Sequence, residues 1–378
     1  MEDIFREIRP YNDSELQSAL CRIVSDKRIE GISSYLFNGK ADTLSRLLEG
    51  VRTVDSLQKQ AMIPVIERIL QCTTDGLECD GTDYFNDGKC FTLVSGHRDI
   101  VLDPTFMQFC LLRCNLPGIE VTAGTNLLSD GTIEDMMRSN RMIKVLRTTN
   151  ARDTYSASVT LSQYIRSRVA AATDPSSVWI SQRNGRTKDG RDSTEQGVLK
   201  MLSMSGSSDF VDNFEELSIM PVAISYEYEP CLYMKAAETL ARENNGGTYV
   251  KKPGEDQASI IYGIRQRKGR VHISFCRPVD RKELEECAAL NHNERYRHLA
   301  GIIDSRIRQN YRIWPSNVVA SEVLAGVSPS DTAAYASLSE FMDGEVAEFL
   351  NRGGYDSPDL RKRMLEIVAA PVVMTENQ

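Results

Sequence analysis

Between residues 91 and 275 short β-branched runs recur at intervals, and helical patterns separate several of them. The runs are FTLVS (91–95), IEVTA (119–123), MIKVL (142–146), SVWIS (177–181), IMPVAIS (219–225), SIIYGI (259–264) and RVHISF (270–275). Apolar residues fall at helical spacing in SASVTLSQYIRSRVA (156–170) and in YMKAAETLARE (233–243). Strands that alternate with helices build a layered α/β unit, because each helix covers the apolar face of the sheet. The spacing predicts an α/β fold with a mixed β-sheet core flanked by helices over residues 76–280. Residues 1–75 read as a helical N-terminal arm, through Leu16, Leu20 and Ile23 and again through Ile63, Val65, Ile66, Ile69 and Leu70. GISSYLFNGKADT looks like a break between two of its helices, and a Gly, Asp and Asn cluster at 75–89 marks the change of texture. Residues 281–378 return to helical spacing as a C-terminal tail.

Charge narrows the function. The 378 residues carry a net −8, which argues against nucleic acid as a partner, since such proteins present a basic face. Yet residues 136–200 hold twelve Arg and Lys against five Asp and Glu, a local +7 that leaves −15 for the remainder. A basic island in an acidic chain suits a local anionic ligand such as phosphate. A solvated helix with a chance excess accounts for the charge equally well. The longest apolar stretches, such as IVAAPVVM (367–374), fall well short of the roughly 20 residues a spanning helix requires. The charged start MEDIFREIRP has no apolar signal region. A cytoplasmic protein is the expectation, peripheral at most at the inner membrane face. Nine scattered cysteines argue for reduced thiols. Cys110 and Cys114 read as two buried thiols on one helix face, and no metal site is expected.

His97 is the only one of four histidines before residue 272, and it directly follows the strand FTLVS in SGHRDIVLDP. An imidazole at a strand-to-helix corner, with Asp99 and Asp103 close by, can have one ring nitrogen fixed by a carboxylate and the other left free as a base. On composition alone, a helix N-terminus capped by one of these aspartates is the slightly better account. Gly185 lies in QRNGRTKDGRD, a segment crowded with Arg183, Arg186, Lys188 and Arg191. Guanidinium forks on a turn suit a phosphate monoester, though a solvent-exposed basic loop is the ordinary alternative. Arg147 closes the strand MIKVLR, as a surface residue or a second phosphate ligand. No nucleophile elbow, Walker loop or dinucleotide fingerprint occurs.

Taken in order, these segments resemble the glycerol-3-phosphate and lysophosphatidate acyltransferase superfamily. GHRDIVLD (96–103) is similar to its His-and-Asp block, and GTNLLSDGTIEDMMRSNRMIKVLR (124–147) to its second block. WISQRNGRTKDGRDSTEQGVLKM (179–201) is similar to its third block, and MPVAISYEYEP (220–230) to its fourth. The resemblance covers about residues 85–280, and the order of the blocks is its specific part. It implies that His97 activates an acceptor hydroxyl for attack on an acyl thioester, with Asp103, or the closer Asp99, holding the ring. It also implies that Arg147, Arg186, Gly185, Lys188 and Asn126 surround a phosphate-bearing acceptor. The acyl donor, acyl-CoA or acyl-carrier protein, is a co-substrate, so no bound cofactor is implied. Five residues separate His97 from Asp103 where the family has four, and Arg183 stands where the family has Glu. Transfer to an amine or another lipid head group is the alternative within the enzyme class. A non-catalytic lipid-phosphate or acyl-CoA binding homologue is the alternative outside it.

Overall fold

The computed structural model describes residues 3–128 and 130–376. Seven strands among them form one sheet: β1 (Thr74–Asp80), β2 (Thr92–Ser95), β3 (Glu120–Gly124), β4 (Met142–Val145), β5 (Val178–Ser181), β6 (Ile219–Tyr226) and β7 (Gly269–Phe275). Their spatial order is β1-β7-β6-β2-β5-β3-β4, and every neighbouring pair is parallel except β6 with β7. The sheet is mixed and flanked by helices. Parallel strands connected by helices are covered on both faces, which is why all four residues of β2 and all eight of β6 are buried.

Alternation along the strands builds two cores. Leu93, Trp179, Met220 and Ile224 point to one face, against the helices Ile63–Thr73 and Leu102–Arg113. Val94, Ile180 and Ala223 point to the other, against Ala151–Val169, Phe210–Leu217 and His292–Asn310. A third cluster joins Leu232–Asn244 to Pro315–Leu324, Thr332–Leu350 and Pro358–Glu376. No helix of the described residues is long and apolar enough to cross a membrane.

Three expectations from the sequence change. The run at 259–264 is not a strand but part of the helix Glu255–Arg265. Its buried residues are Ser259, Tyr262 and Gly263, a helical stripe, while Ile261 is exposed; the β-branched residues misled because they lie off that stripe. Conversely, residues 74–80 form β1 despite two Asp, a Glu and Gly76. This strand is at the sheet edge, where backbone pairing with β7 suffices and charged side chains point to water. The two thiols also differ: Cys110 is buried, whereas Cys114, the C-cap of its helix, is exposed.

The buried carboxyl of Glu345 ties the helix Thr332–Leu350 to the rest. It accepts hydrogen bonds from the Tyr262 hydroxyl and the Tyr233 backbone amide, the latter at 3.4 Å. Burial pushes it up to about 7. A carboxyl protonated more readily folded than unfolded adds stability that is complete below its unfolded value of about 4.3 and is lost as pH rises through about 7. Thermal melts of wild type and Glu345→Gln should therefore diverge between pH 5 and 8. The neutral variant escapes a loss on the order of 3 kcal/mol. Parallel curves for the two proteins would contradict this.

Candidate active site

The chain leaves β2 at Ser95, turns through residues 96–101 and enters the helix Leu102–Arg113. Asp103, on the first turn of that helix, is fully buried, and its carboxylate organises the turn. Oδ2 accepts from the backbone amides of Arg98 at 2.5 Å and Asp99 at 2.9 Å, and lies 3.2 Å from His97 Nδ1. Oδ1 accepts from the Tyr226 hydroxyl at 2.7 Å. Burial, followed by the Asp103 charge, holds the Tyr226 phenol well above its ordinary range, so it stays protonated and donates.

With an acceptor-only carboxylate on Nδ1, the neutral imidazole carries its proton there and leaves Nε2 unprotonated. Nε2 has no hydrogen-bond partner among the described residues, and the side chain keeps 14% of its surface exposed. Trp179 meets the ring edge-on, with centroids 5.2 Å apart, and is itself fixed by its Nε1–H donating to Ser95 Oγ at 2.8 Å. The arrangement leaves a held, partly accessible imidazole nitrogen at the C-terminal end of a central strand, where open α/β sheets present their ligands.

Asp99 does not take part in holding the ring. Its Oδ1 accepts from the amides of Val101 and Leu102, at 2.9 and 2.8 Å, which caps the turn. Its Oδ2 is buried without a hydrogen-bond partner among the described residues, against Gly263 of the helix Glu255–Arg265. A Cβ on Gly263 would come within 2.1 Å of that oxygen.

The basic turn lies directly beside His97, since the Thr187 amide donates to the His97 carbonyl at 2.6 Å. Gly185 sits at its exposed apex with φ +79°, a conformation that suits glycine. Arg186 donates from one Nη2 to Ser259 Oγ at 3.2 Å, and its Nη1 is buried with no partner among the described residues. Lys188 is engaged by Glu238, and burial pushes its ammonium down. Arg147 and Asn126 come together around Gly124, where a Cβ would lie 2.8 Å from Arg147 Nε and 2.5 Å from Asn126 Oδ1. Arg147 donates to Asn184 of the basic turn at 3.1 Å, and Asn126 donates to Asp256 at 3.1 Å. Because Asp256 and Ser259 share one helix, Arg147, Asn126 and Arg186 belong to a continuous set of contacts.

Sequence reading missed several residues here. Tyr226 lies inside the quoted fourth block, but nothing local announces that its hydroxyl reaches back to Asp103. Arg98, Asp192, Glu229 and Lys235 form a buried, charge-balanced quartet under the turn.

No known protein family and no curated protein matches the sequence. Among solved structures, the chain is similar to the crystal structure of the 1-acyl-sn-glycerophosphate (LPA) acyltransferase PlsC from Thermotoga maritima. The identity is 11%, the TM-score 0.41, and the match covers 79% of this chain and 95% of that one. A likeness this distant carries no argument about the site, which rests on the geometry above.

Proposed function

We propose that the protein is an acyltransferase that moves a fatty acyl group from acyl-CoA or acyl-carrier protein to the hydroxyl of glycerol 3-phosphate or a lysophospholipid, with residues 76–280 as its catalytic core. The observation that carries this reading is the His97 imidazole, held through Nδ1 by the buried Asp103 and open at Nε2, with a basic turn stitched to its own carbonyl. Nε2 would take the proton of the acceptor hydroxyl as that oxygen attacks the thioester carbonyl. The same proton would then pass to the departing thiolate, so thiol and ester are the products and no covalent acyl-enzyme forms. The free Nη1 of Arg186 supports a phosphate contact, because a buried guanidinium nitrogen without a partner gains from a charged acceptor. The chain would work in the cytoplasm, at the membrane surface where its product accumulates.

Mass spectrometry of a reaction containing palmitoyl-CoA and glycerol 3-phosphate should find the monoacylated product. Persistent absence of ester, with acyl-carrier protein or lysophospholipid substituted in turn, would refute the reading. Arg186→Ala should raise the KM for the phosphate-bearing acceptor by about 10- to 100-fold, the equivalent of a charge-assisted contact, with a smaller effect on kcat. An unchanged KM would remove Arg186 from the acceptor site.

A further inference from the structure

The basic turn, residues 183–192, carries four cations, Arg183, Arg186, Lys188 and Arg191, with Arg183, Asn184 and Gly185 partly or fully exposed. Asp189 pairs with Arg183 and Glu238 with Lys188, so the charges of the turn are largely met, and what fixes its approach to the strand end is a separate contact. Arg98, the residue after His97, is 1% exposed, and its guanidinium reaches the turn at two points. It donates to the Gly190 carbonyl at 3.2 Å and to Asp192 Oδ2 at 2.9 Å. Its other arm donates to Glu229 Oε2 at 3.0 Å. Lys235 closes the set, donating to Glu229 Oε1 at 2.6 Å and to the Arg98 carbonyl at 2.7 Å. Two cations and two anions therefore balance in a space closed to water, the condition under which buried charges are tolerated.

Asp192 also fits where no side chain competes. A Cβ on Gly96 would lie 2.2 Å from Asp192 Oδ1, so the residue before His97 has to be bare for the turn to approach. Thr187, whose amide holds the His97 carbonyl, donates its hydroxyl to the same Oδ1 at 3.3 Å. Through its backbone amide, meanwhile, Arg98 supplies one of the donors that fix Asp103. One residue thus fixes both the carboxylate that orients the imidazole and the turn that carries Arg186.

We propose that Arg98 and Asp192 are positioning residues that set the reach between the His97 imidazole and the basic turn, and so the spacing between hydroxyl and phosphate in the acceptor; this rests on the acyltransferase reading. The rigid guanidinium fork is what makes the spacing definite, because an ammonium in its place could not hold Gly190, Asp192 and Glu229 at once.

The test uses the full chain carrying Asp192→Asn, with Arg98→Lys as the second variant. Hydrogen exchange of the turn amides reports on positioning without any assay of activity. The Thr187 amide should exchange at least about tenfold faster in both variants while cooperative unfolding is retained. The KM for glycerol 3-phosphate should rise about tenfold in Asp192→Asn and rise no further when Arg186→Ala is already present, since the effect acts through that arginine. Unchanged exchange at Thr187 would overturn the proposal. So would a KM penalty that adds in full to that of Arg186→Ala, or loss of cooperative unfolding in both variants, which would make the pair a folding element. A wild-type protein without transfer would refute the acyltransferase reading separately, and the exchange result would still decide whether the pair positions the turn.

Discussion

His97→Ala should reduce acyl transfer by about 10²–10⁴-fold while leaving the melting temperature nearly unchanged. The ring makes one hydrogen bond, to Asp103, and one edge-on contact, with Trp179; the backbone amides of Arg98 and Asp99 and the Tyr226 hydroxyl still satisfy the carboxylate once the ring is gone, so the cost to the fold is small. The loss should fall on kcat, because the phosphate contacts proposed for the basic turn are untouched by the substitution. A variant that kept wild-type turnover would show that Nε2 is not the base. Circular dichroism melts and initial-rate assays on the same preparations separate the two quantities.

Asp103→Asn should be nearly as severe for transfer and should also cost stability. The carboxylate receives three donors besides the ring, all in a fully buried setting where charge-assisted bonds are worth about 1.5–3 kcal/mol each. Asparagine can place its oxygen toward the two amides and its NH₂ toward Tyr226, so the expected stability loss is about one such bond rather than three. The transfer loss is larger, about 10²–10⁴-fold, because a neutral amide no longer stabilises the imidazolium that forms when Nε2 takes the proton. Asp99→Asn is the control: its carboxylate caps the turn through Val101 and Leu102, a role asparagine shares, so transfer should fall only slightly. Equal losses in the two variants would contradict the division of roles.

Six of the seven strands were legible because their β-branched residues alternate between two apolar faces, and the helices at 156–170 and 233–243 because their stripes repeat every three to four residues. β1 was hidden by its position at the edge, where Asp75, Glu78 and Asp80 leave a composition that reads as loop. The helix Glu255–Arg265 was hidden by an isoleucine pair turned away from its buried stripe. Around His97 the sequence exposes what is close along the chain: the strand end, the two nearby aspartates and the neighbouring Arg. It does not expose what arrives from afar. Tyr226 reaches Asp103 across 123 residues, Asp192 reaches Arg98 across 94, and Glu229 reaches it across 131. Such partners follow from the strand order, in which β2 lies between β5 and β6, and that order is a property of the packed sheet rather than of any segment.

The central claim, a His97 base acting on an acyl thioester, is tested most directly by thiol release from palmitoyl-CoA, with and without glycerol 3-phosphate, for wild type and His97→Ala in parallel. The account predicts free CoA that depends on acceptor in the wild type and falls to background in the variant. Acceptor-dependent release that persists at the wild-type rate in His97→Ala would contradict it.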